Sequence, residues 1–447
     1  MTQAVPTSVR KIRPDLQGMR TLAVGLVIIY HLFPSRLPGG FIGVDIFLVI
    51  SGYLIIGSLT SGFSKTGRVD LLTFYARRIR RLLPASTVVL LSVMIATVVV
   101  LPQSRWQEVA RDVVASALQI QNWNQALGAT SYEAAGALAS PVQHFWSLAV
   151  EEQFYLVIPL LLLLAVTCGR FLKMNAKAAS LWFLVFLSAA SLAHSIVLSI
   201  QNHDIAYFAT TTRMWELALG GMAAIVLDAV RINYFVQLMS GWCGLTMIIA
   251  AGLLFDTSMA FPGYIALLPV VGTLMLIVSG APTRSGPEIG GCRFSRLLSW
   301  RPVTYLGDIS YSLYLWHWPV IVFYILIKGH EPGVVGGAGI LALSLVLASL
   351  SYHFVEQRFR FGKPFAQAGG RRYRPKVGNR TAYGMAGSLI LVSCVSAVAP
   401  WAVVQVKTLQ FEVQSGSHEY PGLWHLMRID QLMCRRVYQL SLIRLLP

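Results

Sequence analysis

Residues 145–166 read FWSLAVEEQFYLVIPLLLLLAV, and the apolar stretch near 147–166 is long enough to cross a bilayer as one helix. Glu151 and Glu152 stand inside this run, where a carboxylate has no inexpensive structural explanation. Ten similar stretches lie near 20–35, 41–60, 83–101, 180–200, 206–227, 235–255, 264–280, 303–327, 335–355 and 383–405. The sequence therefore predicts an all-α integral membrane protein with eleven spans.

The composition excludes a soluble protein. Apolar residues make up 55% of the chain and charged residues only 12%, whereas soluble proteins carry about 25% charged residues. The net charge of +17 comes from short Lys and Arg clusters between apolar runs, which is the arrangement of a membrane protein. It does not indicate a nucleic-acid partner.

The Lys and Arg residues also predict an orientation. With the N-terminus in the cytoplasm, the inner segments hold 26 of them and the outer loops four. Positive charge marks the cytoplasmic side of membrane proteins. The first apolar stretch is not a cleaved signal peptide, because no A-x-A-like site ends it and further spans follow.

Common soluble-enzyme motifs are missing from the sequence. The five cysteines show no metal-ligand spacing, and the chain has no GxxxxGK[ST], GxSxG or HExxH motif. The sequence therefore predicts no metal site and no bound cofactor, and its chemistry must lie in polar groups at membrane depth.

Two such groups share the first helix. Arg20 and His31 are eleven residues apart, close to three turns, so they project from one face about 16 Å apart. Arg20 can hold a phosphate from the cytoplasm, and His31 can act as a base deeper in the membrane. The alternative is a snorkelling arginine and a histidine bonded to a neighbouring helix.

The next two segments add an acid and a cluster of arginines. Asp45 follows His31 across a short outer turn, so contact between the two is expected. The run 74–84, FYARRIRRLLP, contains Arg77, Arg78, Arg80 and Arg81. This run can be a topology signal only, but it is dense enough to hold an anionic cofactor at the inner face.

Later helices carry the remaining candidates. Glu151 and Glu152 point about 100° apart on their helix, so one can orient His31 while the other bonds within the bundle. Arg213 and Glu216 are three residues apart and favour an internal ion pair. His317 lies near mid-membrane, where a packed histidine and a substrate contact are equally good interpretations.

The chain resembles the acyltransferase-3 family of bacterial membrane-bound acyltransferases. The resemblance rests on the Arg20–His31 pair and on ordered motifs between residues 12 and 361: GGFIGVDIFLVISGYL, FYARRIRRLLP, FWSLAVEEQFYLVIP, TTRMWELALG, DISYSLYLWHWP and SYHFVEQRFR. It implies a bundle of about ten helices in 1–382, with an eleventh helix at 383–405.

The resemblance also implies an activity. An acyl group, acetyl in the commonest case, would pass from cytoplasmic acyl-CoA to a hydroxyl of an envelope glycan, such as lipopolysaccharide O-antigen or exopolysaccharide. The enzyme would lie in the bacterial inner membrane with its C-terminus in the periplasm. Its catalytic residues would be His31, Arg20, Asp45, Glu151 and Glu152. Its substrate-binding residues would be Arg77, Arg78, Arg80, Arg81, Arg213, Tyr314 and His317.

A mechanism follows as a hypothesis. Arginines at the inner face, Arg20 among them, hold the CoA phosphates. His31 takes the proton of the acceptor hydroxyl, and Asp45 or Glu151 fixes the tautomer of His31. Arg213 or a tyrosine stabilises the oxyanion. An acyl-histidine intermediate is equally open.

The C-terminal region differs from that of many family members. Residues 406–447 form a short basic tail, where fused members continue into a periplasmic SGNH domain, and we expect a truncated remnant of a linker. A catalytically silent remnant is therefore one alternative function. A glycan or lipid transporter is another, although no internal repeat supports it.

Overall fold

The computed structural model describes residues 13–66, 70–128, 139–256, 258–282, 292–361 and 379–415. Its regular elements in these ranges are helices, so the all-α prediction is confirmed. The α-helices are α1 (Pro14–Leu32), α2 (Gly43–Thr66), α3 (Leu71–Val100), α4 (Trp106–Ala117), α5 (Gln121–Gly128), α6 (Phe145–Phe171), α7 (Ala176–Gln201), α8 (His203–Phe208), α9 (Met214–Ala229), α10 (Tyr234–Leu254), α11 (Leu267–Ser279), α12 (Arg293–Leu298), α13 (Arg301–Lys328), α14 (Val334–Leu350), α15 (Gln357–Phe361) and α16 (Asn379–Ser415). A π-helical segment, Ser351–Glu356, joins α14 to α15. The predicted basic tail lies outside the described residues from 416 onward.

Eight helices in the described part are long and apolar enough to cross a membrane: α2, α3, α6, α7, α10, α13, α16 and the continuous α14–α15 segment. The other three predicted spans take different forms. The stretch 20–35 falls largely in α1, which has 19 residues, and 264–280 contains α11, which has 13. The stretch 206–227 is broken by a 3-10 turn between α8 and α9. These segments are largely enclosed by other helices, so they tolerate polar residues that lipid would not.

Helix α1 lies at the centre of the bundle and runs parallel to α13. Near their starts, the Thr21 hydroxyl donates to the Val303 carbonyl at 2.6 Å. Near their ends, His31 contacts His317. We call the end where α1, α3 and α13 begin the basic end, because the arginine run 77–81 lies in the first turns of α3.

Helix α6 runs antiparallel to α13. Its first residues lie beside the second half of α13, where the His144 ring contacts the Leu315 carbonyl at 3.2 Å. Farther along α6, the Tyr75 hydroxyl of α3 donates to the Leu156 carbonyl at 2.8 Å. Glu151, two turns into α6, is thereby placed between α1, α2 and α3.

Glycines set the close approach of α2 to α9. A Cβ on Gly52 would overlap the Leu217 carbonyl, and a Cβ on Gly220 would overlap the Val49 carbonyl. Small residues let membrane helices approach until their backbones touch. This contact turns the first turn of α2, which carries Asp45, towards the start of α9.

Candidate active site

Two cavities lie between the central helices. The basic cavity lies near the basic end, and Arg20, Arg78, Arg81, Glu151 and Tyr155 are among its lining residues. The histidine cavity lies nearer the other end. It is lined by His31, His144, Tyr314 and Trp318, together with further aromatic side chains. The arrangement places cationic groups and imidazoles in neighbouring spaces.

Three guanidinium groups face the basic cavity without an ion-pair partner among the described residues. Arg20 donates to the Gln17 side chain at 3.2 Å. Arg78 lies over the Tyr155 ring, 4.8 Å from its centroid, and the Nε of Arg81 is buried without a hydrogen-bond partner. Guanidinium groups that converge on one space and are not held in ion pairs can bind an anion such as a phosphate.

The other two predicted arginines lie outside this lining. Arg77 is exposed, and neither Arg77 nor Arg80 belongs to the residues that line the basic cavity. The arginine run is helical, so only part of it can face one space. Arg78 and Arg81 therefore line the cavity, and the other two arginines of the run do not.

The carboxylates of α6 serve the basic cavity rather than the histidines. Glu151 accepts from the Ser51 hydroxyl at 2.6 Å and from the Tyr155 hydroxyl at 3.1 Å. Glu152, the next residue, is half-buried and interacts electrostatically with Arg78. Glu151 therefore adds a negative charge to the wall of the basic cavity and holds two hydroxyl groups there.

His31 is oriented by His317. The Nδ1 of His317 lies 2.6 Å from the Tyr314 carbonyl, which can only accept, so this nitrogen carries the proton. In a neutral ring, the Nε2 of His317 is then an acceptor, and it lies 3.0 Å from the Nδ1 of His31. His31 therefore donates through Nδ1 and keeps the lone pair on its Nε2, which is the form required of a general base.

The prediction that Asp45 or Glu151 fixes the His31 tautomer is therefore wrong. The Nδ1 of His31 is bound to His317, and Asp45 accepts instead from Arg213 at 2.9 Å. Asp45 and His31 are neighbours across a short turn, but the close contact of α2 with α9 turns the carboxylate away. The length of the turn between α1 and α2 does not by itself determine which face of α2 points towards His31.

Arg213 is at the centre of a buried charge cluster. It lies 3.1 Å from Glu216, which confirms the predicted ion pair, and it also binds Asp45. The guanidinium group donates twice to the Tyr207 carbonyl at 3.3 Å and lies 5.0 Å from the Phe261 ring centroid. Arg213 lines neither cavity, so the geometry assigns it to the support of α2 against α9.

Tyr314 and His144 complete the junction of the two cavities. The Tyr314 hydroxyl lies 2.7 Å from the Ser147 hydroxyl and donates to the His144 carbonyl at 3.1 Å. The His144 ring donates through Nε2 to the Leu315 carbonyl, and its buried Nδ1 has no partner. Sequence reasoning missed His144 and Ser147 as site residues, although both belong to the start of the α6 motif.

No group of three or more His, Cys, Asp or Glu side chains is arranged to hold a metal ion in the part of the chain that the structure describes. The groups that do line the two cavities are those of an anion site and a histidine base. The two meet at Tyr314, which lines both spaces.

The comparison with family models decides the family. The acyltransferase-3 model, described as an acyltransferase domain, matches residues 13–353, which include every residue that lines the two cavities. The chain belongs to the acyltransferase-3 family. The resemblance seen in the ordered motifs is thereby confirmed.

Curated relatives in this family are named O-acetyltransferases. O-acetyltransferase OatA of Staphylococcus aureus is 33% identical over 369 residues, covering 78% of this chain and 57% of the relative. The putative peptidoglycan O-acetyltransferase YrhL of Bacillus subtilis is 33% identical over 350 residues, covering 78% of this chain and 55% of the relative. The chain thus spans somewhat more than half the length of these relatives. No solved structure matches it.

Proposed function

We propose that this acyltransferase-3 protein is a membrane-bound O-acyltransferase, which moves an acyl group from acyl-CoA to a hydroxyl of a cell-envelope glycan. The observation that carries the proposal is that a cationic cavity and a histidine cavity meet at shared side chains, one of which is Tyr314. The relatives that are named O-acetyltransferases support acetyl as the acyl group.

The basic cavity is the proposed donor site. Acyl-CoA carries several phosphates, and guanidinium groups bind phosphate through paired, charge-assisted hydrogen bonds. Arg20, Arg78 and Arg81 face this space, and none of them forms an ion pair with a described carboxylate. Glu151, which lines the same space, is bound by the hydroxyls of Ser51 and Tyr155. The excess of Lys and Arg in the segments on this side favours a cytoplasmic basic end. The N-terminus is then cytoplasmic, and the enzyme lies in the bacterial inner membrane.

The histidine cavity is the proposed acceptor site. Aromatic rings such as Tyr30, Trp146 and Trp318 line it beside polar side chains such as Gln143 and Asp204. Aromatic faces with a few polar groups suit a sugar ring, which presents both C–H faces and hydroxyls. The acceptor is a glycan or lipid-linked glycan. Lipopolysaccharide O-antigen, exopolysaccharide and peptidoglycan, which the name of YrhL carries, are the candidates.

The transfer uses the lone pair on His31. The Nε2 of His31 takes the proton of the acceptor hydroxyl, whose oxygen forms a bond to the thioester carbonyl carbon. The carbon–sulfur bond then breaks, and the CoA thiolate receives the proton from His31. In the alternative route, Nε2 itself attacks the thioester carbon and the carbon–sulfur bond breaks to release the CoA thiolate. The acyl group then passes from Nε2 to the acceptor oxygen, Nε2 regains its lone pair, and the hydroxyl proton goes to the thiolate. In both routes His317 acts as a positioning residue.

Removal of the His317 acceptor is expected to lower kcat. In His317→Leu, His31 loses the group that holds the proton on its Nδ1. A buried hydrogen bond of this kind contributes about 1–3 kcal/mol, so kcat is expected to fall roughly 10- to 100-fold with little change in KM for the donor. Steady-state kinetics in membrane vesicles measure both constants.

His317→Gln is the matched control, because its side-chain oxygen can accept from His31. It is expected to retain much more of kcat than His317→Leu. Equal losses in the two variants would show that His317 contributes bulk or packing rather than orientation of His31.

Donor binding tests the other half of the function. The charge-removing variants Arg20→Gln and Arg81→Gln are each expected to raise KM for acetyl-CoA about tenfold, because a charge-assisted hydrogen bond contributes about 1.5–3 kcal/mol. The measurement is release of the CoA thiol by the protein in membrane vesicles. Arg293→Gln, at an exposed position on α12, is the control and is expected to leave KM unchanged.

A wild-type protein that releases no thiol from acetyl-CoA in its native membranes would contradict the proposed donor. Unchanged KM values in both cavity variants would move the donor site away from the basic cavity.

A further inference from the structure

The two cavities share two lining side chains. Val44 of α2 and Tyr314 of α13 contact both the basic cavity and the histidine cavity. Both are almost fully buried, at 6% and 5% exposure. Together they form a wall, with the cationic groups on one side and His31 on the other.

Each half of this wall is held in place. The Tyr314 hydroxyl is bound by Ser147 and by the His144 carbonyl, at 2.7 and 3.1 Å. Val44 directly precedes Asp45, whose carboxylate is bound by the buried Arg213 at 2.9 Å. Both side chains therefore stand on helices that are held by buried contacts, rather than on a loop that could move.

The approach to the wall from the basic cavity is apolar. Phe47, Leu48 and Leu148 line the basic cavity alongside Val44. A donor whose phosphates lie at the arginines can direct its acyl chain along these side chains towards Tyr314. Hydrocarbon on the acyl group gains free energy from such a surface, at roughly 0.8 kcal/mol for each buried CH₂.

From this geometry we infer that Val44 and Tyr314 form the barrier at which the thioester meets the acceptor, and that Val44 limits the transferable group to a short acyl chain. The inference rests on the proposed function. Its chemical step is the one given above: the thioester carbon–sulfur bond breaks as the carbon–oxygen bond to the acceptor forms. The acyl carbons must fit beside Val44 while this happens.

Val44→Ala tests whether Val44 limits the length of the acyl chain, because the substitution removes two methyl groups from the wall. A hydrophobic pocket discriminates roughly 10- to 200-fold for each methylene. The ratio of kcat/KM for butyryl-CoA to that for acetyl-CoA is therefore expected to rise at least about tenfold. Thiol release from the two donors is measured with the full-length protein in vesicles of its native membranes, which supply the natural acceptor.

Val49→Ala is the matched control. Val49 lies on the same helix and is fully buried, but it lines neither cavity. It is expected to lose a similar amount of packing and to keep the wild-type ratio of donors. A second variant, Val44→Leu, adds bulk to the wall and is expected to slow acetyl transfer about tenfold.

The outcomes separate the inference from the function on which it rests. Failure of the proposed function gives a wild-type protein that is inactive with both donors. Failure of the inference alone gives an active wild type and the same donor ratio in wild type, Val44→Ala and Val49→Ala. A wild-type rate of acetyl transfer in Val44→Leu would also overturn the inference, because added bulk at the barrier must slow the transfer.

Discussion

Replacement of His31 by alanine is expected to lower acyl transfer from acetyl-CoA roughly 10²- to 10⁴-fold, the usual contribution of a general base. His31 is bound through Nδ1 to His317, so its Nε2 is the nitrogen that can take a proton. The variant should stay folded in the membrane and should still retain acetyl-CoA, because His31 does not line the basic cavity. The measurement is kcat/KM for thiol release in vesicles.

Two further variants show whether the loss of acyl transfer in His31→Ala comes from removal of the basic nitrogen. In His31→Asn, an amide nitrogen can still donate to His317 but the basic nitrogen is missing, so this variant is expected to be as slow as His31→Ala. His194→Ala changes an exposed histidine on α7 and is expected to keep wild-type rates. Full activity in His31→Asn would assign His31 a structural role and refute its role as base.

The second large expected effect is a loss of folding stability when Arg213 is replaced. In Arg213→Met, Asp45 and Glu216 lose the guanidinium group that they share at 2.9 and 3.1 Å. Removal of one partner from a buried ion pair costs about 3–5 kcal/mol, because an uncompensated charge stays in a medium that solvates it poorly. A large fall in the yield of folded protein and a lower Tm after detergent extraction are therefore expected.

Charge neutralisation predicts a rescue. The triple variant Arg213→Met, Asp45→Asn, Glu216→Gln removes both uncompensated carboxylates and is expected to recover much of the lost yield. Lys177→Met is the control, since it breaks the exposed Lys177–Asp228 pair at 2.9 Å, and exposed pairs contribute about 0–1 kcal/mol. A wild-type Tm in Arg213→Met would show that the buried cluster does not support α2 and α9.

The membrane fold could be predicted from the sequence because length and hydropathy report directly on the bilayer. Eight predicted spans became long apolar helices. The three that did not, among them α1, lie largely among other helices, where neighbouring side chains rather than lipid decide which residues are tolerated. Hydropathy does not contain that information. The i, i+3 pair of Arg213 and Glu216 was predictable because its geometry is local to one helix turn.

The partners of His31 could not be predicted in the same way. Asp45 is nearer in sequence than His317, which lies 286 residues away, yet His317 holds the ring. The partner of His31 is determined by the parallel packing of α1 against α13 and by the close glycine contact of α2 with α9. Both are tertiary contacts between helices that are far apart in the sequence. His144 was overlooked for the same reason: only the packing of α6 against α13 brings it beside His317, at 5.6 Å between ring centroids.

We propose that an acyl group passes from the basic cavity to a glycan hydroxyl through His31. This transfer is tested by measuring ester-linked acyl groups on separated envelope glycans of a deletion strain, and of the same strain restored with wild type or with His31→Ala. Deletion is expected to remove the esters from one glycan fraction, and wild type is expected to restore them while His31→Ala does not. Ester content that is unchanged by deletion in every glycan fraction, or restored equally by His31→Ala, would refute the proposed transfer.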